Sequence, residues 1–351
     1  MKVIACSAPY GGGGLGQHLA QVVDEGRQQE ALLQYFATSV PPGDTAGSEV
    51  QSAFAQWLFR ATPVRFSHSW KSYLGFDLFD RAVAARLPEG CGFHGFVGQS
   101  LHCFQKARRL GYTLLELEAA NSHVRNVMRL HALARQQYGF ETSWLNPAQA
   151  QKTLQEYAMA DVIYANSDYT RDSLIAEGIP ASRIQRRHLQ VHPRFQPAPR
   201  VQEEGFRVVY TGSVTVMKGI PLLLEAFSRL RDSRAQLTLV GGWATRAMRQ
   251  YMETWLQRDP RIRIAPGDPL PHLQRADVCV HPTFEDGFAY APAEALACGV
   301  PVIVTEDTGM KELVKEGENG YIVPTGSWEA ILERLEHLQR YPLRGKMAVR
   351  S

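Results

Sequence analysis

Cysteine is scarce in this chain. Its 351 residues hold only Cys6, Cys91, Cys103, Cys279 and Cys298, with no C-x-x-C or zinc-type spacing among them. An odd, scattered set argues against a disulfide framework and fits a reducing compartment. Cys6 and Cys279 sit in short apolar runs and read as small core residues rather than nucleophiles. Long apolar stretches are missing too: none approaches the roughly 20 residues that a spanning helix requires. The opening run Met1 to Ser7, with one lysine, is too short for a signal peptide. Charge of one sign is not in excess either. The net charge is +3, and Lys and Arg are scattered apart from clusters such as Arg186-Arg187-His188, which disfavours nucleic acid as a partner. The expected setting is cytoplasmic, and weak peripheral contact of a basic face with the inner membrane surface stays open. The sequence contains no D-x-D and no His/Cys/Asp/Glu cluster with metal spacing, so no metal site and no cofactor are expected.

What is present is an ordinary globular composition, 44% apolar and 21% charged, over a length that favours two domains. Short apolar runs alternate with helical patterns in both halves, the signature of β-α-β units and parallel sheets. Strands are expected at Lys2 to Ser7, Leu32 to Ala37, Tyr112 to Leu117 and Asp161 to Asn166, with Ser167 as a helix cap. A helix is expected from about Leu15, and the one capped by Ser167 stops near Gly178. A proline-bearing stretch from Pro193 to Gly205 lacks periodicity and reads as a linker. Strands then resume at Arg207 to Thr211, Gln236 to Val240, Val278 to His281 and Val302 to Val304, with a helix at Ile220 to Leu230. The expected fold class is α/β, two Rossmann-like doubly wound parallel-sheet domains facing a cleft, with domains at 1–195 and 204–340. The segment from about 40 to 100 carries Trp57, Phe66, Trp70, Tyr73, Phe76 and Phe79 without a clean period. Its rings suit core packing, a lid or stacking on a ligand.

Two segments carry chemistry. Gly11-Gly12-Gly13-Gly14-Leu15-Gly16 follows the first strand and opens a helix, where backbone N–H groups and the helix dipole favour an anion. Gly11, Gly13 and Gly16 also meet the G-x-G-x-x-G spacing of dinucleotide enzymes, which makes an NAD-dependent oxidoreductase an alternative. That reading wants an acidic residue at the end of the second strand, and the run there ends Tyr35-Phe36-Ala37-Thr38. The second segment runs from Phe284 through Glu285, Asp286, Gly287, Phe288, Ala289, Tyr290, Ala291, Pro292 and Ala293 to Glu294, and continues to Cys298-Gly299-Val300-Pro301. It follows a strand and precedes a helix, so Asp286 and Glu294 are placed at the carboxyl end of a parallel sheet, where such sheets bind ligands.

In these residues the sequence resembles glycosyltransferase family 4, retaining enzymes of the GT-B fold, whose hallmark is E-x7-E within an EGFG…EA…G.PV context. The resemblance runs from about 207 to 338 and includes Gly212-Ser213, Lys218-Gly219, Leu239-Val240-Gly241, Ala276-Asp277-Val278, Gly309 with Glu312, and Asn319-Gly320. In the first half it rests on the glycine loop, Glu118, Asn121-Ser122-His123 and Ala160-Asp161-Val162-Ile163. It implies a metal-independent transferase that uses a nucleotide diphosphate sugar as donor and a saccharide, lipid-linked or small-molecule acceptor. It further implies that Glu294 holds the donor ribose, Asp286 the hydroxyls of the transferred sugar, and Lys218 the departing diphosphate. Gly212, Ser213, Gly287, Phe288, Ala289, Tyr290 and Ala291 would line the donor, as would Gly13, Gly14 and Gly16, while His123 would hydrogen-bond the sugar near its reacting carbon. Two departures stand out. Ser213 occupies the place of a usual arginine, and Asp286 that of a usual glutamate. They motivate a second alternative, a nucleotide-sugar-binding protein without catalysis. Family members usually continue past a segment like Leu343 to Met347, so residues 341–351 are expected to be a truncated tail.

Overall fold

Runs of β-branched and aliphatic residues, each bounded by glycine, proline or a polar cap, form two sheets in which every pairing is parallel. The computed structural model describes residues 1–50, 59, 61–90, 92–199 and 204–343. Cys91, Trp57 and most of the 341–351 tail therefore lie outside the described residues. Contacts divide the chain into two units: Met1–Met128 with Ser143–Leu189, and Arg129–Thr142 with the chain from Gln190 onward.

The first unit contains β1 (Lys2–Ala5), α1 (Gly13–Gln28), β2 (Leu32–Ala37), β3 (Gly47–Glu49), α2 (His68–Ala84), β4 (Gly92–Phe96), α3 (Leu101–Arg109), β5 (Leu114–Ala119) and the start of α4 (Val124–Gln137). It continues with α5 (Pro147–Met159), β6 (Val162–Ala165), α6 (Asp168–Ala176) and β7 (Ile184–Arg186). Its strand order is β3-β2-β1-β4-β5-β6-β7. Successive residues of β1 face opposite cores, Val3 and Ala5 one and Ile4 the other, which is why the strand reads as continuously apolar. Ser167 caps α6 as expected, its hydroxyl accepting from Thr170 N.

The second unit contains β8 (Arg207–Thr211), α7 (Ile220–Arg229), β9 (Gln236–Val240), α8 (Arg246–Arg258), β10 (Ile262–Ile264), α9 (Leu270–Leu273), β11 (Val278–His281), α10 (Tyr290–Ala297), β12 (Val302–Thr305), β13 (Gly320–Val323) and α11 (Trp328–Arg340). The order is β10-β9-β8-β11-β12-β13. Val278 and Val280 face one core and Cys279 the other. The Cys279 thiol is buried and burial pushes its pKa up, as for Cys6, so both behave as core residues. Residues 129–142 group with this unit, unlike the 1–195 division, because Ala134 joins its core and Leu133 and Tyr138 pack against it. No helix among the described residues is long and apolar enough to cross a membrane.

A buried carboxyl group holds the first unit's loops. Glu156 on α5 accepts from Ser100 N at 2.8 Å and Leu101 N at 3.1 Å, and also from Gly98 N, closing the N-terminus of α3. Burial pushes its carboxyl up to about 8 against the pull of Lys152. A carboxyl raised in the fold contributes stability below its unfolded value and loses it as the pH rises through the folded one. Stability is therefore expected to decline from this group between about pH 4.5 and pH 8. Glu156→Gln keeps one acceptor and no charge, so its melting temperature should fall less than that of the wild type between neutral and mildly alkaline pH. An unchanged slope in thermal melts would remove Glu156 as the cause.

Candidate active site

In both sheets the strand order reverses beside the first strand, between β1 and β4 and between β8 and β11. The loops leaving the carboxyl ends of the two strands at such a point diverge and leave room for a ligand. In the second unit these are the loop carrying Lys218 and the loop carrying Asp286.

Backbone bonds fasten the two loops together. Phe284 N donates to Met217 O at 3.0 Å, while within the second loop the Thr283 side chain donates through Oγ1 to Glu285 O at 2.8 Å. Asp286 N donates to Asp307 O at 3.2 Å, and Gly309 N to Asp286 O at 3.1 Å, so the loop after β12 supports Asp286 from the other side. Glu141, buried, accepts from Val216 N and Thr245 Oγ1 and thereby holds the stretch before Lys218.

The side chains converge accordingly. Lys218 Nζ donates to Asp286 Oδ2 at 2.5 Å, with the two side chains 28% and 18% exposed. His281 Nε2 lies 3.4 Å from the same oxygen. Burial alone would raise the Asp286 carboxyl; the positive charge of Lys218 and the contact with His281 overcome it and hold the group well below the usual carboxylate range. Burial and Lys218 lower His281, which is neutral in consequence. Tyr210 stacks on His281, and its hydroxyl donates to Ser213 O at 2.7 Å. His131 on α4 is buried near Lys218, and burial together with that charge brings its pKa down to about 3.

Glu294 is buried on α10, close enough to Cys279 and Cys298 to raise both thiols. The loop Gly287 to Ala289 leads into that helix, and Ala289 has φ 65°, a left-handed conformation that L-residues avoid. Such strain concentrates at functional loops.

The remaining sequence-derived residues belong to the first unit. Gly13 and Gly14 form the first turn of α1, whose N-cap Gly12 offers no side-chain cap, and a Cβ at Gly16 would lie 2.1 Å from Pro9 O, so close packing of the loop itself demands glycine there. His123 is buried, stacks on Tyr157 and accepts from Arg125 N through Nδ1 at 3.3 Å. Burial lowers its pKa, so the neutral ring carries its proton on Nε2. Sequence reading missed His281, His131, Tyr210 and Glu141. Only His281 left a trace, as a polar residue closing an apolar strand. It also missed a buried cluster in which Glu118 contacts His18 at 2.9 Å, His94 at 2.8 Å and Arg187 at 2.6 Å. The second nitrogen of His94 faces Glu116 at 3.2 Å; burial opposes a charge on the ring, and the carboxylate on each side outweighs it and raises the pKa.

The chain has the architecture of several solved proteins. Over 97% of its length it superposes on sucrose-phosphate synthase of Thermosynechococcus elongatus, covering 90% of that chain with a TM-score of 0.72 at 17% identity. It superposes likewise on Alr3699/HepE of Anabaena, solved in complex with UDP-glucose, with a TM-score of 0.69 at 14% identity over 97% of this chain and 90% of that one. These likenesses establish the fold as GT-B, built from two parallel-sheet α/β domains. Residues 205–340 match the family described as glycosyl transferases group 1. The matched segment lies within the second unit. Among curated proteins, the capsular polysaccharide biosynthesis glycosyltransferase CapM of Staphylococcus aureus is 30% identical over 144 residues, 40% of this chain and 38% of that protein. The chain thus spans well under half the length of this relative.

Proposed function

We propose that the protein is a retaining glycosyltransferase that moves a sugar from a nucleoside-diphosphate donor to a saccharide or lipid-linked acceptor without a metal ion. The observation that carries this reading is the Lys218–Asp286 pair at 2.5 Å, set where the strand order of the second sheet reverses. In the reaction, the bond between the anomeric carbon and the diphosphate oxygen breaks, and its electron pair stays with that oxygen. Lys218 stabilises the charge that develops there, the task a divalent ion performs elsewhere. The acceptor hydroxyl bonds to the carbon on the face just vacated, and its proton passes to the departing diphosphate. Asp286 accepts hydrogen bonds from the sugar hydroxyls and Glu294 from the ribose, with the amides of Gly212, Ser213 and Gly287 to Ala291 along the donor.

The family match over residues 205–340 supports the donor assignment, and the UDP-glucose bound to the Anabaena protein of like fold makes uridine nucleotides the first to try. A thermal-shift series with uridine, guanosine and adenosine diphosphates and their sugars tests it. One nucleotide is expected to raise the melting temperature, since a ligand at a hundred times its dissociation constant adds about 2.7 kcal/mol. No shift with any of them would sink the reading.

A further inference from the structure

His281 closes β11 with only 3% of its surface exposed. Its ring lies flat against Tyr210, 5° from parallel with centroids 6.3 Å apart, so packing fixes its orientation. Nε2 lies 3.4 Å from Asp286 Oδ2, and neither ring nitrogen makes a hydrogen bond among the described residues. Asp286 Oδ2 is therefore shared, with Lys218 in the near position at 2.5 Å and His281 in the far one. A donor diphosphate and Asp286 compete for the same ammonium.

We propose that His281 is the positioning residue that keeps Asp286 aimed at the transferred sugar once Lys218 turns to the donor diphosphate. The inference rests on the donor reading above and deepens it. As Lys218 swings away, Oδ2 loses its close donor, and His281 Nε2, 3.4 Å from that oxygen and otherwise unpartnered, closes in and donates in its place. The charged and titratable groups facing His281 are Lys218 from the loop after β8, Asp286 from the loop after β11, and Tyr210 from β8; Cys279 lies on its own strand. Lys218 opposes a proton on the ring and Asp286 favours one. Drawing the ammonium toward phosphate weakens the first influence and leaves the second. Nucleotide binding should therefore be accompanied by uptake of a proton at His281.

Calorimetry of the whole chain with uridine, guanosine and adenosine diphosphates, near neutral pH in buffers of different ionisation enthalpy, tests this. The expected result is an apparent binding enthalpy that varies with buffer in the sense of proton uptake. His281→Gln retains an N–H donor but cannot take up the proton. It should bind the same nucleotide within about threefold, with the buffer dependence gone, and keep most of the turnover of the matching nucleotide sugar. His281→Phe keeps the flat ring against Tyr210 without the donor, and should lose about 10- to 100-fold in kcat. A buffer-independent enthalpy in the wild type, or undiminished uptake in His281→Gln, overturns the proposal while leaving the donor reading intact. Failure of the wild type to bind any of the three diphosphates overturns both.

Discussion

Lys218→Ala is expected to lower sugar transfer by about 10²- to 10³-fold, the usual cost of removing one preorganised group from a developing anion. The loss should exceed that of an ordinary phosphate contact because Ser213 stands where the family resemblance leads one to expect an arginine, leaving Lys218 to carry more of the charge. Nucleoside-diphosphate affinity should weaken by about tenfold or more, since a hydrogen bond to a charged group is worth roughly 1.5–3 kcal/mol. The variant should still fold. Its Asp286 retains His281 and some solvent, 18% of the side chain being exposed, so the stability cost is roughly 1–3 kcal/mol. The pH dependence gives a further check. A carboxyl depressed in the fold contributes stability above its unfolded pKa and loses it as the pH falls toward the folded one. Asp286 is such a group through Lys218, so acid unfolding of the variant should show a shallower loss than the wild type below about pH 4. Steady-state kinetics with the donor that emerges from the nucleotide series measures the first effect, and wild-type turnover would refute the role of Lys218. Glu294→Ala, in the same assay, should also lower transfer strongly, through loss of its charged hydrogen bonds to the donor.

Much of this site was legible in the sequence because its constraints are local. Glycine at 212, 219 and 287, the carboxylates 286 and 294, and apolar strands such as Val278 to His281 stand in a spacing that puts loops at strand ends. Strands β2, β8, β9 and β11 fall where the apolar runs place them. Strand β5 lies two residues later than expected, at Leu114–Ala119, because Glu116 and Glu118 in its middle are buried with basic partners and so break the apolar run that marks a strand. Strand β4, Gly92-Phe93-His94-Gly95-Phe96, was invisible for a similar reason. Two glycines and a histidine look like a turn until His94 is seen between Glu116 and Glu118. Helix α2 combines buried Phe79 with Phe66 and Trp70, 78% and 47% exposed, at and before its start, so its aromatics follow no single face. Glu141 escaped notice because its partners, Val216 and Thr245, lie 75 and 104 residues away. Pairings across such distances leave no periodic mark.

Gly219→Ala is expected to damage both stability and the site, more severely than its size suggests. Gly219 sits at φ 70° as the N-cap of α7, a left-handed conformation that costs an L-residue roughly 1–2 kcal/mol. The larger obstacle is contact: a Cβ there would lie 1.8 Å from Pro282 O, a backbone atom that cannot rotate away. Pro282 follows His281 and begins the loop to Asp286, while Gly219 directly follows Lys218. Relieving the clash must therefore push apart the two loops whose close approach creates the Lys218–Asp286 pair. A displacement near 1 Å costs about a hundredfold in rate when it separates catalytic groups, and the combined strain should destabilise the second unit by about 3 kcal/mol or more. Gly242→Ala provides the control: it changes the same residue type in the neighbouring loop, where a Cβ would meet nothing within 4 Å. Denaturant unfolding and nucleotide binding, measured on both variants, should show Gly219→Ala impaired in each and Gly242→Ala close to wild type. Equal behaviour of the two would mean that the contact between the loops does not set the geometry of the site.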